Sequence, residues 1–121
     1  MSFQYIKKVQ FQKNQSIREV MRGLNVLVIH TEGQGFGVVI DENACCIGVV
    51  TDGDIRRKLT EGVLIDDPIE KIVNDNFVYV TTDNSPHQIL RLFESNIKNI
   101  PVLDANKKLV DILQSKDFRA S

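Results

Sequence analysis

The sequence predicts an α+β fold, of α/β character, built from two repeated units of strand, helix, strand, turn, strand and helix. Two observations carry this. Residues Val9–Met21 recur as Val78–Leu90 at a constant offset of 69. Residues Val38–Asn43 and Val49–Ile55 recur as Pro101–Asn106 and Ile112–Phe118 at an offset of 63. Self-similarity of this kind marks one supersecondary unit used twice. The fall from 69 to 63 places six extra residues in the first copy, between Met21 and Val38. The units divide as residues 1–64, with an N-terminal lead-in, and 65–121, with a shortened final helix.

The first strand of each unit, near Val9 and Val78, alternates apolar and polar residues. Each then reaches a serine followed three residues later by Glu19 or Gln88, the capping-box signature of a helix start. Pro86 takes the first helical position, where proline fits best. The first helix carries Ile17, Val20, Met21, Leu24 and Val28 on one face, with Leu27 widening the stripe. It is expected to end near Thr31. The run Val26-Leu27-Val28-Ile29 is also β-prone, so residues 22–37 have an extra strand as their alternative. Gly33, Gly35 and Gly37 make the following loop. In the second helix Ile89, Leu90, Leu92, Phe93 and Ile97 form the core-facing stripe.

Asp-Glu-Asn (41–43) and Asp-Ala-Asn (104–106) are turn chemistry between paired strands. A helix from about Asp54 to Glu61 ends at Gly62. Between the units, Asp67 is expected to cap a short helix with Pro68 at its first position. The last helix, begun at Asp117, is expected to run past Ser121. The sequence therefore reads as a piece of a longer chain.

Apolar residues make up 42% of the chain and charged ones 26%, with a net charge of −1. That balance gives no general attraction to nucleic acid or to an anionic membrane. No apolar run approaches the roughly 20 residues of a membrane helix, and the N-terminus has no signal-peptide core. A cytoplasmic location is expected. Cys45 and Cys46 are adjacent and form no disulfide framework. One is expected to face inward and the other outward on a strand. His30 and His87 have no metal-ligand spacing and read as surface or half-buried helix residues. The three close glycines fit neither a dinucleotide fingerprint nor a Walker loop. No nucleophile, base and orienting group stand together, so no catalytic residue and no metal site is expected.

The stretch Ile47–Arg57 organises the chain. Val49 and Val50 suit a buried strand, and Thr51 and Asp54 are helix N-cap types. A strand end facing a helix start gathers backbone N–H groups and favours an anionic ligand. Thr51 adds a hydroxyl and Asp54 a carboxylate, a set suited to sugar hydroxyls near a phosphate. Capping and ligand contact are compatible roles. Arg56 and Arg57 point in different directions, so at least one belongs to a solvated face or a dimer contact.

Taken together, the two-fold repeat, the strand Ile-Pro-Val-Leu-Asp (100–104) and Gly-x-x-Thr-x-x-Asp at 48–54 resemble a tandem pair of CBS domains, or Bateman module. The resemblance runs from about Val9 to Arg119. The wording Val-Val-Thr-Asp-Gly-Asp-Ile-Arg-Arg (49–57) is similar to pairs appended to sugar-nucleotide transferases and sugar-phosphate isomerases. The resemblance implies two three-stranded sheets packed face to face about a pseudo-two-fold axis, with helices on one side of each. It implies two clefts between the repeats, commonly binding adenosine nucleotides to regulate an attached enzyme or transporter. It also implies a homodimer. An attached catalytic domain, expected C-terminal to the module, would be a sugar-nucleotide transferase, with an isomerase as the alternative. No cofactor is expected beyond a regulatory nucleotide such as AMP or ATP.

Carried over by position, Asp54 would hold the ribose and Thr51 would assist through its hydroxyl. Gly48 and Val49 would lie against the base, and Lys98 and Asn99 would lean in from the other repeat, Lys98 toward a phosphate. The second cleft keeps Asp117 but has Gln114 at the Thr position and Asp111 at the Gly position. Gly35 and Phe36 would reach into it without a cation. The first cleft is thus expected to bind, and the second to be weak or vacant. The competing reading is a purely structural, dimerising module with vestigial clefts.

Overall fold

The repeat offset is also the register of the sheets. A computed structural model describes residues 3–118. It holds two three-stranded sheets, β1 (Gln10–Gln12), β2 (Phe36–Ile40) and β3 (Cys46–Thr51), then β4 (Val80–Thr81), β5 (Asn99–Leu103) and β6 (Leu109–Gln114). In each, the first strand runs parallel to the central one and the third antiparallel to it. Phe36 faces Thr51 in one sheet, and Asn99 faces Gln114 in the other. Both β-bulges fall at equivalent places, Val39/Ile40 and Val102/Leu103. The predicted fold class therefore holds.

The sheets meet on a pseudo-dyad. Cys45 pairs antiparallel with Lys108, its own counterpart 63 residues on, and Cys46 N–H donates to Lys107 O at 2.8 Å. The larger core lies under the first sheet and draws in Leu103, Leu109 and Ile112 from the second. A smaller one groups Val80, Ile100 and Val102 with the half-buried Ile89, Leu92, Phe93 and Ile97. Cys46 is buried and Cys45 half-buried. Burial pushes the Cys46 thiol up, which leaves it a poor nucleophile.

Helix α1 spans Phe3–Lys8, which the sequence left as a plain lead-in. Helix α2, Ile17–Leu27, starts at Ser16, whose Oγ accepts from the Glu19 N–H at 3.1 Å. The Glu19 carboxylate does not close the box. It accepts instead from the Gln15 amide. Helix α4, Pro86–Phe93, has the complete box of Ser85 and Gln88. It stops short of the expected Ile97, Asn96 taking φ +66°, and Leu90 is exposed rather than core-facing. After α2 a 3₁₀ turn covers Val28–Thr31, so the extra residues continue the helix and form no strand. Thr31 closes that turn by donating its hydroxyl to the Leu27 and Val28 carbonyls.

Helix α3 begins at Asp52, with Thr51 as cap, and ends at Thr60, followed by Gly62 at φ +104°. The expected Asp67 cap is corrected. Pro68 occupies the cap of a 3₁₀ turn at Ile69–Lys71, while the Asp67 carboxylate turns back to the Leu64 N–H at 3.0 Å. A last 3₁₀ turn covers Ser115–Asp117. The remainder of the expected final helix lies outside the described residues.

The linker then crosses β3. Asn74 and Val49 exchange two backbone hydrogen bonds, of 2.9 and 3.1 Å. This crossing requires Gly48. A Cβ there would lie 2.4 Å from the Asn74 carbonyl oxygen and 2.6 Å from Val73 Cγ2. Backbone atoms cannot yield that space cheaply. Gly48→Ala is therefore expected to cost about 1–3 kcal/mol, the usual range for overpacking. It should also speed hydrogen exchange at the Asn74 amide. Urea unfolding with amide exchange measures both, and wild-type values in the two would contradict the crossing.

Candidate functional site

The crossing linker builds one wall of a hollow of about 270 Å³ between the repeats. The first repeat supplies Gln34, Phe36, Val49 and Thr51. The linker supplies Asn74, Asn76, Phe77 and Val78, and the second repeat Asn96, Ile97 and Asn99. Three of the expected contacts, Val49, Thr51 and Asn99, thus come together from both halves of the chain. Thr51 Oγ accepts from the Asp54 N–H at 3.2 Å, which leaves its hydroxyl proton available to a ligand.

The other three are placed differently. Gly48 lies beneath Asn74, so it shapes the wall rather than lining the hollow. Asp54 lines an adjoining hollow of about 300 Å³ with Arg57, Lys58, Asn74 and Asp75. Its Oδ1 is ion-paired with Arg57 at 2.8 Å. Asn74 lines both hollows and stands between them. Lys98 lines a third, of about 380 Å³, with Leu90, Phe93 and Phe118. Asn96 and Ile97 line both this third hollow and the cleft, whereas Asn99 lines only the cleft and Lys98 only the third hollow.

The far side of the dyad is built otherwise. Gln114 is buried, and its amide donates to Asn99 Oδ1 at 3.2 Å and to His30 O. Asn99 Nδ2 donates to Thr31 O at 3.0 Å and to Gln34 Oε1 at 2.9 Å. Ser115 Oγ donates to the Glu32 carboxylate at about 3.0 Å. Tyr5 of α1 stacks on His30 with ring centroids 3.7 Å apart. The extra residues of the first repeat thus engage the end of β6, where the second cleft was expected. Phe36, expected there, lines the first hollow instead. Gly35, at φ +66°, sits against the Asp52 carboxylate. Burial pushes that carboxyl up, and Arg56 opposes the shift. Asp117 is exposed, and Asp111 Oδ1 accepts from the Ile112 N–H at 2.7 Å.

Sequence reasoning missed the linker wall. The repeat begins again only at Val78, and the positional counterpart of Asn74–Phe77, in α1, differs from it in sequence and conformation. The one available signal was the composition Asn-Asp-Asn-Phe, three turn formers and a ring. Among the described residues no group of three or more His, Cys, Asp or Glu has a metal-holding arrangement, and no helix is long and apolar enough to cross a membrane.

Comparison with known proteins agrees with this geometry. Residues 69–120 match the CBS domain family model. Arabinose 5-phosphate isomerase GutQ of Salmonella typhi is 30% identical over 108 residues, which cover 85% of this chain and 34% of that protein. The chain spans between 15% and 34% of the length of the curated relatives it matches. Among solved structures, the cytosolic domain of the Mg2+ channel MgtE in complex with ATP superposes with a TM-score of 0.74 at 25% identity. That match covers 91% of this chain and 43% of the other. The cystathionine beta-synthase pair domain of the putative Mg2+ transporter SO5017 from Shewanella oneidensis MR-1 gives 0.76 at 14% identity, covering 90% and 60%. The internal repeat, the paired sheets on their dyad and these matches identify residues 69–120 as a CBS domain and give the whole chain the architecture of a tandem pair.

Proposed function

We propose that this pair senses an adenosine-type nucleotide in the cleft at Thr51 and controls an attached catalytic domain. CBS domains are regulatory, nucleotide-binding modules rather than catalytic ones. The observation that carries the reading is the make-up of the cleft. Thr51 and Val49 come from one repeat, Asn96 and Asn99 from the other, and Phe77 from the linker. An occupant would touch all three and bias their relative placement. A ligand shifts such an equilibrium only by its differential affinity for the two states, and a bridging site provides that difference. The ATP complex of the MgtE cytosolic domain supports a nucleotide as occupant.

The isomerase GutQ also supports a sugar-phosphate isomerase as the attached domain. The expectation of a sugar-nucleotide transferase gives way to that alternative. Within the proposed site, Thr51 donates to the ligand, Val49 packs against it, and Asp54, held by Arg57, borders it from the adjoining hollow. Asn99 positions the wall, its amide already being committed.

Two measurements follow. AMP or ATP at 100 times its dissociation constant should stabilise the chain by about 2.7 kcal/mol, seen as a rise in melting temperature. No rise with either nucleotide would favour the purely structural reading. Thr51→Val should weaken binding about tenfold and Thr51→Ser should largely preserve it, as expected for one lost hydrogen bond. Lys98→Ala should change affinity by less than about twofold, because a side chain outside the cleft contributes little to binding. Isothermal titration reads all three variants, and a large loss in Lys98→Ala would return that lysine to the site.

A further inference from the structure

The cleft is uncharged. Among the described residues its lining includes no Lys, Arg, Asp or Glu. We propose that the module reads the base of its nucleotide through amides and leaves the phosphates outside, so that affinity is nearly independent of phosphate number. The inference rests on the nucleotide-sensing reading and adds what that reading leaves open, namely which part of the ligand is recognised.

Three observations carry it. The first is the cost of burying charge. A polyphosphate taken into a cation-free hollow loses its hydration without a compensating partner. The nearest cations do not change this. Arg57 is ion-paired with Asp54 at 2.8 Å, and Lys58 with Glu61 at 3.5 Å. Asp54 and Asp75 share the adjoining hollow with Arg57 and Lys58, so two carboxylates face two cations there. Lys98 lines the neighbouring hollow, on the far side of Asn96 and Ile97, and not the cleft itself.

The second observation is the supply of uncommitted amides. The side chains of Asn76 and Asn96 make no hydrogen bond among the described residues. Asn74 Oδ1 accepts from the Asn76 N–H at 3.1 Å, and Gln34 Oε1 accepts from Asn99, which leaves the NH₂ group of each available. An amide offers a donor and an acceptor side by side, the arrangement that pairs with the N6 and N7 edge of adenine. Phe77 supplies a ring on which a base can stack. The third is size. A hollow of about 270 Å³ falls just below the usual range of small-molecule sites, roughly 300–1,000 Å³, and suits a nucleoside better than a triphosphate.

Isothermal titration of the 121-residue chain with adenosine, AMP and ATP, at low and at high salt, tests the inference. The three dissociation constants should agree within about threefold and move little with salt, since charge pairing is the part that salt screens. Asn76→Ala should weaken all three by the same factor, about fivefold for one lost hydrogen bond. Binding of AMP or ATP without adenosine, or ATP tighter than AMP by more than about tenfold, a full 1.4 kcal/mol, would overturn it while leaving nucleotide sensing intact. A loss in Asn76→Ala confined to AMP and ATP would overturn it in the same way. Binding of none of the three would remove the sensing reading and this inference together.

Discussion

The contact between the Asn74 carbonyl and the bare Cα of Gly48 governs the rest of the site. It lets the linker lie as an extended segment across β3, paired to Val49 on both sides of the residue. From that crossing the chain continues through Asn76, Phe77 and Val78 and becomes a wall of the cleft. The absence of one methyl group at position 48 thus converts a connection between two repeats into part of a binding surface. The equivalent position in the second repeat is Asp111. There the segment that would make the same crossing is the helix α1, not an extended strand.

Two departures from symmetry follow one another around the dyad. The hairpins meet at equivalent residues, Cys45 and Lys108, so the frame is symmetric. The loops around it are not. Six extra residues carry α2 through a 3₁₀ turn to Thr31, where the carbonyls of His30 and Thr31 accept from Gln114 and Asn99. Both side chains are buried, with both polar atoms of Asn99 and the NH₂ group of Gln114 partnered, the condition under which polar side chains are tolerated inside a protein. A pair with the same strand order on both sides therefore offers one amide-lined cleft and, opposite it, a packed polar contact closed over by Tyr5 and His30.

Much of the frame was legible in the sequence, for physical reasons. Strand pairing within a repeat follows from its own turns, so an offset of 63 carried the register and even the bulges from one sheet to the other. Ser16 and Ser85 marked helix starts because capping depends on three or four neighbouring residues. Local rules served less well where long-range contacts decide. Leu90 has an apolar spacing yet is exposed, because the second core is thinner than the first. Lys98 sits beside cleft residues in sequence yet lines a neighbouring hollow, because the chain turns at Asn96 before β5 begins. Phe36 and Asn99 occupy matching positions, but both line the same cleft because the dyad passes between them. The linker wall left almost no trace, since its positional counterpart, α1, differs from it in sequence and conformation.

The central claim is that one cleft, the one walled by the linker, is the ligand site. Mapping amide chemical shifts of the labelled chain during titration with AMP tests it most directly. Perturbations are expected at Thr51, Asn76, Phe77 and Asn96, with those at His30, Glu32, Gln114 and Ser115 small. Dominant shifts in the second group, with the first unmoved, would contradict it.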